Sequence, residues 1–138
     1  MTNRTLQKKF FRMACILLGT AVVLGAFGAH GIKRVASEAD VEAFKTGVLY
    51  QFIHALGILV ISLSLRRFDE EVAKRVGYLF LTGIILFSGS LYIMVITHIA
   101  GQKGLGAIGV VTPVGGLCFI AGWFYMAYKA YKAPERND

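Results

Sequence analysis

The chain has 138 residues, of which 56% are hydrophobic and 17% charged, with a formal net charge of +7. A soluble domain carries about 25% charged residues, so this chain has too little polar surface to coat a water-soluble ball, and a mean hydropathy of +0.61 excludes a disordered one. Two cysteines are too few for a disulfide-stapled secreted scaffold of this length, which leaves an integral membrane protein of one domain.

The first apolar run extends from Met13 to Ala29 behind a basic arm of Arg4, Lys8, Lys9 and Arg12. Together with the small residues near Ala26–Gly28 it imitates a secretory signal peptide. Its length, and the three further spans that need an orienting first helix, favour a retained helix. The second run, Thr46 to Leu65, is uncharged but contains Gln51 and His54. Ser37, with Asp40 three residues later, reads as a helix cap with acids in the first turn. Val41, Phe44 and Val48 then repeat at helical spacing, so this helix begins outside the hydrocarbon near Ser37. The third run is the longest, Val76 to Ala100, with His98 near its end. A connection rich in glycine (Gly101, Gly104, Gly106, Gly109) leads to Thr112-Pro113, which fits an N-cap followed by the first helical position. The fourth helix is therefore expected from Pro113 to about Tyr128.

Each run can cross a core of about 30 Å at about 1.5 Å per residue, and runs this long without alternation are helices rather than barrel strands. The expected fold is all-α: a single domain over 1–138 forming a transmembrane four-helix bundle with helices at about 10–30, 37–65, 74–100 and 113–131. Eleven basic residues (Arg4, Lys8, Lys9, Arg12, Arg66, Arg67, Lys74, Arg75, Lys129, Lys132, Arg136) fall on one side, against Lys33, Arg34, Lys45 and Lys103 on the other. The positive-inside rule then makes both termini cytoplasmic, in a cell (inner or plasma) membrane. Anionic lipid headgroups explain the basic clusters without nucleic acid.

Helices in a bilayer associate through small residues and hydrogen bonds, and every span carries such a stripe. The first has Ala21, Gly25 and Ala29 with Gly28 beside them; the second has Gly47, Gln51, His54 and Ser62; the third has Gly83, Ser90 and Thr97 flanked by Ser88 and Gly89; the fourth has Gly115, Cys118 and Gly122. Gly25, Gly28, Gly83, Gly89, Gly115, Gly116 and Gly122 are the expected contact points. Cys15 and Cys118 lie at opposite depths, too far apart for a disulfide within one subunit.

All eight carboxylates lie outside the uncharged runs. Proton-coupled transporters keep an ionisable group within the membrane, and the small multidrug exporters of similar size depend on a membrane carboxylate that has no counterpart here. Three histidines remain. His54 lies about 12 Å inside its boundary, with Tyr50 and Gln51 one turn away as hydrogen-bond partners. His30 and His98 close the first and third helices, where positive charge is favourable. They are also the pair that would ligate a haem, or with His54 a metal; no cofactor remains the simpler expectation. Ser88-Gly89-Ser90 lacks the glycine that precedes a serine nucleophile by two positions and any oxyanion-hole motif, so no enzyme is expected.

Gly25-Ala26-Phe27-Gly28-Ala29-His30-Gly31 resembles the signature of the YgdD/YwdK family of small bacterial membrane proteins, which has an animal branch. Tyr50-Gln51-Phe52-Ile53-His54-Ala55, Phe87-Ser88-Gly89-Ser90-Leu91-Tyr92, Thr112-Pro113-Val114-Gly115-Gly116 and Gly122-Trp123 match in the same order, from about Cys15 to Trp123. The resemblance implies a four-helix membrane fold and carries no activity with it. The candidate polar cluster is His30, Gln51, His54, Ser88, Ser90 and His98. The leading expectation is a non-enzymatic bundle in the lipid bilayer that packs as a homo-oligomer or against a membrane-complex partner. A small-solute transporter or channel with its polar path at Gln51 and His54 is the first alternative, and a haem or metal protein using His30 and His98 the second.

Overall fold

The computed structural model describes residues 3–65, 68–102 and 106–132. Helix α1 covers Asn3–Phe27 and continues through a π-helical turn, Gly28–Ile32, into a last turn, Lys33–Val35. Helix α2 is Glu38–Leu63. Helix α3 is α-helical over Glu70–Gly83, passes through a second π-helical turn at Ile84–Ser88 and resumes over Gly89–Ile99; α4 is Gly106–Lys132. All four are long and apolar enough to cross a membrane. The candidate spans within α1 and α3, Arg4–Val35 and Glu70–Ile99, reach 32 and 30 residues, about 45 Å or more, so both overrun the hydrocarbon.

The local chemistry that starts α2 is visible at Ser37, whose hydroxyl accepts the Asp40 amide and donates to the Asp40 carboxylate at 2.7 Å. Two expectations about boundaries need correction. Helix α4 begins at Gly106, not Pro113, so Thr112 is not its N-cap and the proline lies inside the helix. Pro113 lacks the N–H that would reach the Gly109 carbonyl, and the Thr112 hydroxyl is drawn to the Ile108 carbonyl at 3.2 Å and to Ser90 at 2.7 Å. Likewise α1 does not close at His30, which lies within the π-turn. In each π-turn one amide reaches five residues back, Lys33 to Gly28 and Gly89 to Ile84, a register that hydrophobic periodicity does not announce.

The helices run alternately up and down. The start of α2 meets the end of α1 (Phe44 against Gly28), the end of α3 meets the start of α4 (Ser90 against Thr112), and the start of α1 lies beside the start of α3 (Lys9 against Tyr78). Both ends of the described chain are therefore at one end of the bundle. The most apolar windows of α2 and α3 are 44% and 39% buried against 17% for α1 and α4, so the middle pair is α2 and α3, with α1 packed on α2 and α4 on α3. Near the termini the core is Leu6, Phe10, Ile58, Ile61, Val76, Phe80 and their neighbours; at the far end it is Ile32, Val41, Phe44 and Val95.

Aromatic rings seated on glycines form much of this packing. A side chain on Gly77 would strike the Phe10 ring, one on Gly28 the Phe44 ring, and one on Gly47 the Tyr92 ring. Phe80 is held from two sides, with Gly57 of α2 on one edge and Gly122 of α4 on the other. At Gly115 two backbones meet: a Cβ there would lie 2.8 Å from Phe87 Cβ and 2.9 Å from the Leu86 carbonyl carbon.

Candidate functional site

Between the two apolar clusters lies a belt of buried polar groups: Gln51, His54, Ser88 and Ser90. Each sits on α2 or α3, the two more buried helices of the bundle. Gln51 is the hub. Its Nε2 donates to the Leu17 carbonyl and the Thr20 hydroxyl of α1, both at 2.9 Å, and its Oε1 accepts the Tyr92 hydroxyl of α3 at 2.9 Å. One amide thereby joins three helices with both N–H donors and one acceptor position in use. The absence of a side chain at Gly47, one turn before Gln51, lets the Tyr92 ring lie across α2 to reach it.

His54 is set by aromatic rings. Its Nδ1 lies 2.7 Å from the Tyr50 carbonyl oxygen; a carbonyl can only accept, so Nδ1 carries the proton. Phe119 of α4 stacks on the imidazole with centroids 3.4 Å apart and planes 9° from parallel, and Phe80 meets it edge-on at 5.4 Å. Gly83 admits the Phe119 ring to this position. The expected Gln51–His54 bond does not form, because the amide points to α1 and Tyr92 while the imidazole turns to its own helix.

Ser90 donates to the Phe87 carbonyl at 2.8 Å and meets the Thr112 hydroxyl at 2.7 Å, tying α3 to α4. Ser88, at the end of the π-turn, is fully buried and its hydroxyl has no partner, alone in this among the buried side-chain polar atoms of the described residues. Both outer histidines stand apart from the belt. His98 bonds through Nδ1 to the Asp40 carboxylate at 2.7 Å, linking the end of α3 to the first turn of α2. His30 is exposed on the π-turn of α1. No cluster of three or more His, Cys, Asp or Glu side chains poised around a metal occurs among the described residues.

Among the expected contact glycines, Gly28, Gly83, Gly115 and Gly122 are buried against aromatic rings or backbone of another helix, and Gly25 is 3.5 Å from Val48. Gly116 has only a loose neighbour in Phe87 at 3.8 Å, and Gly89 has nothing nearer than its own helix's Ile84 carbonyl at 4.0 Å. Sequence reading missed Thr20, Tyr92, Thr112 and Phe119 as belt members, and Gly57 and Gly77 as ring seats. Tyr92 had a signal in its spacing of four from Ser88, and Phe119 in lying between Gly115 and Gly122; Thr20 had none.

The belt can hold helices together; its groups are spent mainly on one another and on backbone. Comparison with known proteins agrees with the fold and adds no chemistry. Residues 24–116 match a family described as a protein of unknown function (DUF423). The UPF0382 membrane protein YwdK of Bacillus subtilis is 36% identical over 127 residues, covering 91% of this chain and 98% of the relative. The UPF0382 inner membrane protein YgdD of Escherichia coli is 35% identical over 116 residues, 84% of each chain. A UPF0382 membrane protein of Haemophilus influenzae is 32% identical over 130 residues, covering 94% of this chain and 99% of the relative. No solved structure matches. With its four membrane-capable helices and this extent of identity, the chain is a multi-pass membrane protein and belongs to the DUF423 (UPF0382) family.

Proposed function

We propose that this protein is a non-enzymatic bundle of the cell membrane, with both termini cytoplasmic, that works by packing against itself or against a larger membrane complex. The observation that carries the reading is the outer face of α1. Gly19, Val22, Val23, Ala26 and Ala29 lie along one exposed side at helical spacing, and a Cβ at Gly19 would touch nothing within 4 Å. Small residues gain nothing from lipid, but they let a second helix approach closely. Helix α4 supports the same reading, with Gly109 and Ala121 exposed and only 17% of its most apolar window buried within the chain.

The belt gives less support to a solute path. Gln51 is engaged on three helices and the face of His54 is covered by Phe119. Native mass spectrometry from lipid nanodiscs tests the proposal. We expect a whole multiple of the chain mass or a defined second protein, and we expect Gly19→Leu with Ala26→Leu to reduce that species by tenfold or more while helical content is unchanged. A wild-type chain that remains monomeric with no companion overturns it.

A further inference from the structure

A groove of about 490 Å³ opens between α3 and α4 at the end of the bundle that carries the termini. Arg75, Tyr78, Leu79, Thr82, Ala121 and Tyr125 line it. Its depth follows from helix rise: Arg75 to Thr82 spans about 10 Å. Arg75 lies nearest the terminal end, and Leu79, Thr82 and Ala121, the last two exposed, lie one to two turns further along α3 and α4 as a shallow floor. The mouth is ringed by cations held by tyrosines. Lys9 Nζ donates to the Tyr78 hydroxyl at 2.7 Å, and Lys129 Nζ lies over the Tyr125 ring, 5.7 Å from its centroid. Arg75 donates through Nε to Glu71 at 2.9 Å, which leaves the terminal guanidinium nitrogens as further donors. Lys9, Arg75 and Lys129 thus outnumber Glu71 at the rim, while the neighbouring Lys74 and Glu70 neutralise each other at 2.8 Å.

We propose that this groove binds one anionic glycerophospholipid from the leaflet on the terminal side. A soluble anion would match the rim and leave the floor exposed; a neutral lipid would match the floor and leave the rim uncompensated. A phosphoglycerol headgroup at Arg75 and Lys129 with one acyl chain along Leu79, Thr82 and Ala121 matches both. Tyr78 and Tyr125 are amphipathic rings of the kind that suits the headgroup level. The second groove of the bundle shows what lacks this match. It lies between α1 and α2; its lining cation Lys45 is paired with Glu42 at 2.7 Å, as Arg75 is with Glu71, but it has no lining tyrosine that holds a further lysine.

The test is competition on the full chain, delipidated in mild detergent, with equimolar phosphatidylglycerol and phosphatidylcholine of matched acyl chains, read by native mass spectrometry. Each juxtamembrane cation adds about fivefold to anionic-lipid binding, so we expect the first retained lipid to be phosphatidylglycerol by at least about fivefold. Arg75→Gln with Lys129→Gln should bring that ratio to about one, and Lys45→Gln should leave it unchanged. Ala121→Phe fills the floor without altering charge and should remove the tightly held lipid; soluble glycerol phosphate should not compete. A wild-type ratio near one, or a preference that survives both the charge and the floor variants, overturns the proposal. Should a variant lose helical content, a photoactivatable phosphatidylglycerol on the wild type decides: adducts within 75–82 and 121–125 support the site, and adducts confined to the α1–α2 groove refute it.

Discussion

Gln51 occupies a position where an unpaired amide would be costly, and its three bonds offset that cost. Interhelical hydrogen bonds in bilayers average about 0.6 kcal/mol, so Gln51→Leu, which keeps the volume, should destabilise the bundle by about 2 kcal/mol in a steric-trap or detergent-unfolding measurement. Ser88 is the opposite case. Its buried hydroxyl has no partner, so Ser88→Ala should raise stability by up to about 1 kcal/mol by removing a desolvation penalty. A loss of similar size on Ser88→Ala would show that the hydroxyl has an unseen partner. Composition and spacing alone mark both residues as polar groups inside apolar runs. Their partners are less accessible, since Thr20 is 31 positions from Gln51 and Tyr92 is 41, distances at which one chain carries no pairing signal.

At the scale of elements, the same residue type has two different roles. Gly115 lets the backbone of α4 touch the π-turn of α3, whereas Gly89 borders open space within its own helix. Gly115→Ala should therefore cost about 1–3 kcal/mol through overpacking against main-chain atoms that cannot step aside. Gly89→Ala should be neutral or stabilising by up to about 1 kcal/mol, the ordinary gain on replacing a helical glycine. Equal effects in the same unfolding assay would contradict this account. The Ser37 cap was legible residue by residue. Thr112-Pro113 misled because a strong local start signal sits inside a helix where tertiary bonds from Thr112 to Ile108 and Ser90 take over.

At the scale of the molecule, an even number of alternating helices puts both ends of the described chain at one end of the bundle, and the proposed topology turns the basic excess there toward the cytoplasm. In a Cys15→Ser, Cys118→Ser background, Lys132→Cys should be labelled by an impermeant thiol reagent only after the cells are opened, and Glu38→Cys before. The reverse pattern would invert the topology. Four spans were readable because hydropathy acts locally along the chain. The order of burial, with α2 and α3 inside and α1 and α4 outside, was not: every span carries a small-residue stripe, and only the three-dimensional arrangement distinguishes a stripe that is filled from one left open.

The π-turn at Ile84–Ser88 also sets a phase. Were the same residues to wind there as an ordinary α-helix, everything beyond would rotate by about 100°. Tyr92 would swing away from Gln51, Ser90 from Thr112 and His98 from Asp40, three links broken by a change that removes none of the six residues. The inserted residue acts as a gear tooth between the two halves of α3: the half near the termini meshes with Phe10 and Phe119, the far half with Gln51 and Asp40, and neither alignment survives without the offset.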